Sequence, residues 1–147
     1  MKRSGSMQFC LIAFMAFAFV CLQANLPAAA AQWLTTWGCA PQLTEPGNLP
    51  PALLADSTLR QFVRVSVGGK NLRVRFSNIF GTDPVTIRSA HIALAAGKGS
   101  AGGGEINPAT DKRLTFHGAA EMTIPRGEAV FSDPVDLDLP AQTDVTV

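Results

Sequence analysis

Nucleophilic catalysis needs a hydroxyl or thiol held beside a base. The sequence offers Ser57, Ser66, Ser77, Ser89, Ser100 and Ser132 as hydroxyls, with His91 and His117 as bases. None of these serines stands in a Gly-x-Ser-x-Gly elbow, and no Gly-Asp-Ser occurs. Ser66, Ser77 and Ser89 fall on strand positions or strand ends, where a hydroxyl is ordinarily solvated or bonded to backbone. His91 lies within an expected strand and His117 at a strand end before Gly118, and neither has an identifiable partner. Both read as structural, and no catalytic residue is assigned.

Other site chemistries fare no better. Two histidines far apart and a single cysteine after residue 31 give no metal-ligand spacing. The glycine-rich stretch at 97–104, GKGSAGGG, has Gly99 after Lys98 where a phosphate loop needs Ser or Thr, so it reads as a surface loop. No cofactor or metal is implied. Asp136 and Asp138 share one strand face because residues i and i+2 do, and they read as a solvated face. Arg64, Arg73 and Arg75 also project together, and like charges opposed across strands destabilise a sheet. Asp136 and Asp138 would compensate if their strand neighbours this face, a docked domain or an anionic ligand would serve equally, and intramolecular or interdomain pairing is the reading preferred over a ligand.

These residues have to be positioned by strands. The stretch at 58–84, TLRQFVRVSVGGKNLRVRFSNIFGTDP, alternates apolar and polar residues on both sides of Gly68-Gly69-Lys70-Asn71 and ends in a Gly-Thr-Asp-Pro turn. It is expected to be a β-hairpin, with Val63, Val65, Val67, Leu72, Val74 and Phe76 facing the core. Further strands are expected at 32–38, 85–94, 113–117, 121–124, 129–131, 135–139 and 144–147, with a bulge near Ala90 where the apolar phase slips. Turns fall at Pro125-Arg126-Gly127 and Ser132-Asp133-Pro134. Short strands at this spacing, with no amphipathic helix between them, predict an all-β antiparallel β-sandwich or jelly roll. The alternation at 144–147 stops without a terminating turn, which predicts a strand truncated part-way, with an unshielded edge.

The first 31 residues belong to a different class. Lys2 and Arg3 precede an apolar run at 9–22 and a tract of small residues ending Ala29-Ala30-Ala31, the pattern of a secretory signal peptide cleaved after Ala31. The run falls short of the roughly 20 apolar residues a bilayer span requires. The expected location is therefore secreted or periplasmic, with no membrane association after cleavage. Residues 32–147 suffice for one domain with one core, and loss of Lys2 and Arg3 leaves them close to neutral, which excludes a nucleic-acid footprint. Cys39 alone cannot form an intrachain disulfide and is expected to be a small buried residue.

Five segments carry a resemblance: TTWGCAPQ at 35–42, TLRQFVRVSVGG at 58–69, LRVRFSNIFGTDPVTI at 72–87, INPATDKRLTF at 106–116 and TIPRGEAVFSDPVDL at 123–137. In this order they resemble the N-terminal β-rich region of secreted SGNH/GDSL-type hydrolases, a family of esterases and lipases. The resemblance covers nearly all of residues 32–147. It implies an accessory region that precedes an α/β/α hydrolase domain, whose Gly-Asp-Ser block supplies the nucleophile and whose Asp-x-x-His block supplies the base. Neither block occurs in this sequence. The implied partner is thus that C-terminal hydrolase domain, and the chain alone is expected to be inactive. A reading of another class is a stand-alone exported β-sandwich that binds carbohydrate or protein. Trp33 and Trp37, four apart on one face of an extended segment, would form its stacking surface.

Overall fold

A computed structural model describes residues 32–50, 54–96 and 105–147, so the expected signal peptide and the glycine-rich loop lie outside the described residues. The chain divides into two compact units, Met1–Leu34 and Thr35–Val147. Of the first, only Gln32, Trp33 and Leu34 are described, without regular secondary structure. The second is all-β and antiparallel and forms no closed barrel. Its strands are β1 (Phe62–Arg64), β2 (Gly69–Leu72), β3 (Arg75–Ser77), β4 (Val85–Ile87), β5 (Ala90–Leu94), β6 (Lys112–Leu114), β7 (Met122–Ile124), β8 (Ala129–Phe131), β9 (Val135–Leu139) and β10 (Asp144–Thr146). Single 3-10 turns at Pro46–Asn48 and Pro108–Thr110 are the helical elements among the described residues.

The pairing is nested. β1 pairs with β10, β2 with β9, β3 with β8, β4 with β7 and β5 with β6, all antiparallel. Phe62 stands opposite Thr146, Leu72 opposite Val135, Arg75 opposite Phe131 and Ile87 opposite Met122. The register is so nearly constant that β1 to β4 and β7 to β10 form the two sides of one long, interrupted ribbon. The ribbon then rolls up: β10 also pairs with β5, Val145 opposite Leu94, giving a four-stranded sheet in the order β1-β10-β5-β6. A folded ribbon whose tip docks beside its base is the construction of a jelly roll.

The core lies where this sheet meets the rest of the ribbon. Ala90, Ile92, Leu114, Phe116 and Leu137 are buried together, and Phe76 meets Phe116 edge to face at 5.6 Å between ring centres. Val65, Leu139 and Val145 form a second cluster, and Leu72 and Leu94 pack against both. The faces follow the alternation in the sequence at Val63, Val65, Leu72, Val74 and Phe76, which turn inward, and at Arg64, Arg73 and Arg75, which turn outward, whereas Val67, expected in the core, is exposed.

Five expectations are corrected. The hairpin at 58–84 does not form: β1 pairs with β10, and the Gly68-Asn71 stretch is itself largely strand, in β2 against β9. No strand forms over 32–38, where Thr36 instead binds loop backbone: Ser66 N and Oγ both donate to its carbonyl, and its own hydroxyl bonds Val67. The phase slip near Ala90 is a break at Arg88 and Ser89 that lets β4 and β5 enter different pairings. Cys39 is exposed, in a segment lacking regular structure. The final strand has no unshielded edge, because β10 is central and Val147 exchanges two backbone bonds with Gln61 at 2.8 and 2.9 Å.

Candidate functional site

The outward arginines are compensated, though not by the aspartates expected. Arg64 Nη1 lies 3.2 Å from Asp144 on the paired strand, where the register puts the two residues directly opposite. Arg73 and Arg75 both lie over the Phe131 ring, at 4.2 and 5.9 Å from its centre. The ring's negative face offsets part of their repulsion. Asp136 and Asp138 are exposed and form no ion pair among the described residues.

Ser57, Ser66, Ser77 and Ser132 are spent on structure, and Ser89 is exposed. Ser132 is buried, accepts from Val74 N at 3.0 Å and donates to the Asp133 carbonyl at 3.0 Å. Ser57 donates to Ala55 O, and Ser77 accepts from Ile79 N. Ser100 lies outside the described residues, and no histidine bonds a serine hydroxyl among those described. His117 has a left-handed backbone, φ 52°, in the turn that closes the bridge from Phe116 to Ala119. Asp133 fastens this turn by accepting from Gly118 N at 2.8 Å, Thr115 Oγ1 at 2.7 Å and His117 N at 3.0 Å. Led by the bond from Gly118 N, these donors hold the Asp133 carboxyl below the ordinary carboxylate range, against a smaller opposing effect of burial.

One arrangement is not spent in this way. His91 on β5 stands opposite Arg113 on β6, and Asp111, two residues earlier, shares that face. Both Asp111 oxygens lie 3.1 Å from His91 Nδ1. A carboxylate only accepts, so in the neutral ring Nδ1 carries the proton and Nε2 presents its lone pair. A shallow cavity of about 60 Å³ adjoins the pair and is lined by Arg60, His91, Ile92, Ala93, Ile106, Asp111 and Thr146. Thr146, on β10, is 4 % exposed, and its Oγ1 is enclosed with no hydrogen-bond partner.

His91 was legible in the sequence only as a lone strand histidine, and Asp111, Arg60 and Thr146 carried no signal. The β5–β6 and β5–β10 registers bring them together. The arrangement holds a donor, an oriented acceptor and a hydroxyl, and is suited to binding polar groups. Trp33 and Trp37 are each partly exposed and lie outside any strand. No three metal-ligating side chains gather among the described residues. No described helix is long and apolar enough to cross a membrane. No protein-family model matches the chain, and no curated protein matches it.

Proposed function

We propose that this chain is the exported N-terminal accessory region of an SGNH/GDSL-type ester hydrolase and has no catalytic centre of its own. The observation that carries the reading is the collinear run of five family-like segments over 35–137 in a sequence without Gly-Asp-Ser or Asp-x-x-His. Supporting it, no described serine hydroxyl bonds a histidine, and the oriented imidazole of His91 faces a carboxylate. The nucleophile and base would belong to a hydrolase domain that follows in the same polypeptide, with the β-rich region packed beside it.

The coding sequence after Val147 tests this directly. An in-frame continuation that encodes Gly-Asp-Ser and, later, Asp-x-x-His is expected, and a stop followed by an unrelated gene would overturn the proposal. The purified mature chain, residues 32–147, is expected to show no turnover of an aryl acetate above buffer. Turnover that survives His91→Ala and His117→Ala would be a contaminant's, and turnover abolished by either would make this chain an esterase itself. The stand-alone binding module is favoured by one observation, the shallow cavity beside the His91–Asp111 pair.

A further inference from the structure

The outer face of the β1-β10-β5-β6 sheet carries an unassigned group of polar residues. Register and alternation place Phe62, Thr146, Ala93 and His91 on this face, since Phe62 is opposite Thr146, Thr146 is opposite Ala93, and His91 is two residues from Ala93. Thr146 and Ala93 are buried on the face turned away from the core cluster of Ala90 and Ile92. We infer that the cavity formed here by Arg60, His91, Asp111 and Thr146 binds the hydroxyl-bearing edge of a neutral sugar.

The donor and acceptor set decides the ligand class. Arg60 only donates. His91 Nε2, with Nδ1 held by Asp111, accepts, and no hydrogen bond to it exists among the described residues. Thr146 Oγ1 can do both and has no partner. A sugar hydroxyl suits His91 and Thr146 together, because it can donate to Nε2 while accepting from Oγ1. An anion cannot donate to Nε2 and would sit beside the Asp111 carboxylate, and a cation would face Arg60. The cavity, at about 60 Å³, takes a few water-sized groups, which matches one edge of a sugar rather than a whole ring. Phe62, half-buried opposite Thr146, provides an apolar flank for the C–H face of the ring. The orphan hydroxyl supplies the affinity: it is already shut off from water, so a group that reaches it makes a hydrogen bond with no competing solvent bond to break. Arg60 and His91, at the rim, are exposed.

The proposal does not depend on the hydrolase reading, and its test uses the purified chain. Amide spectra are recorded during titration with D-glucose, D-galactose and D-xylose, and separately with inorganic phosphate. Saturable shifts at His91, Ala93 and Thr146 are expected with at least one sugar in the millimolar range. His91→Ala and Thr146→Val are each expected to weaken binding about tenfold, the equivalent of one good hydrogen bond. Thr146→Val should at the same time leave the fold as stable or raise its melting temperature, since it removes an unsatisfied buried hydroxyl. No saturable shift with any of the three sugars, or a response to phosphate alone, would overturn the proposal. So would a marked loss of stability in Thr146→Val, which would assign the hydroxyl a structural partner.

Discussion

At the scale of single residues, the fold depends on two polar side chains that look unremarkable in the sequence. Asn78 is 7 % exposed, and its Nδ2 donates to the carbonyls of Asp83, Ile124 and Pro125 at 2.9, 3.2 and 3.1 Å. Its own carbonyl accepts from Gly81 N and Gly127 N, so it ties the 78–84 loop to the turn between β7 and β8. A Cβ on Gly81 would collide with the Asn78 side-chain oxygen, which explains why glycine follows at that place. Asn78→Ala leaves buried carbonyls without donors and is expected to lower the unfolding free energy by about 2 kcal/mol or more, measured by denaturant titration. Asp133 acts at the turn between Phe116 and Ala119. Its carboxyl is held below the ordinary range, so its stabilising bonds are present at neutral pH and are lost as the pH falls through that lowered value. Asp133→Asn is therefore expected to be less stable than the parent at neutral pH. The gap in denaturation midpoint should close in acid, where the parent carboxyl is protonated too.

At the scale of elements, the strands were more legible than their partners. β8 and β9 coincide with the expected 129–131 and 135–139, because each is a short alternating run between turn residues. The pairing was not legible, since period-two alternation fixes which face is buried and says nothing of which strand lies alongside. Gly68-Gly69-Lys70-Asn71 has the composition of a hairpin turn, yet its glycine answers a different need. A Cβ on Gly68 would lie 2.8 Å from Ala141 N and closer still to Leu139 O, so glycine here lets two backbones approach where β2 meets β9. Both contacts are with backbone and cannot move aside. Gly68→Ala is accordingly expected to cost about 1–3 kcal/mol, read as a lowered denaturation midpoint with unchanged slope. The same nonlocality hid the candidate site: His91 and Asp111 are 20 residues apart, and only the β5–β6 register sets the carboxylate against the imidazole.

At the scale of the whole molecule, rolling the ribbon makes its last strand its most connected one. β10 lies between β1 and β5, Val145 is 3 % exposed in a cluster with Val65 and Leu139, and Asp144 meets Arg64 across 80 positions of sequence. Every strand of the ribbon pairs with one far away in the chain, except where β5 turns back on β6. Such a topology defers its rewards, because loop closure must precede the contacts that stabilise it, and refolding is expected on the millisecond-to-second scale of all-β domains. The strand that closes the roll should then be indispensable. Removing residues 144–147 takes away both ladders that join β1 to β5 and uncovers Val65 and Leu139, while the ribbon formed by β2 to β4 and β7 to β9 keeps its register. What remains has lost the Val65–Leu139–Val145 cluster and the strand that joins β1 to β5, and paired strands without a sheet to cover them are marginal in water. The shortened chain is therefore expected to lose its cooperative thermal transition, followed by near-ultraviolet circular dichroism. A sharp transition retained after the deletion would mean that the ribbon, and not the four-stranded sheet, is the stable unit of the fold.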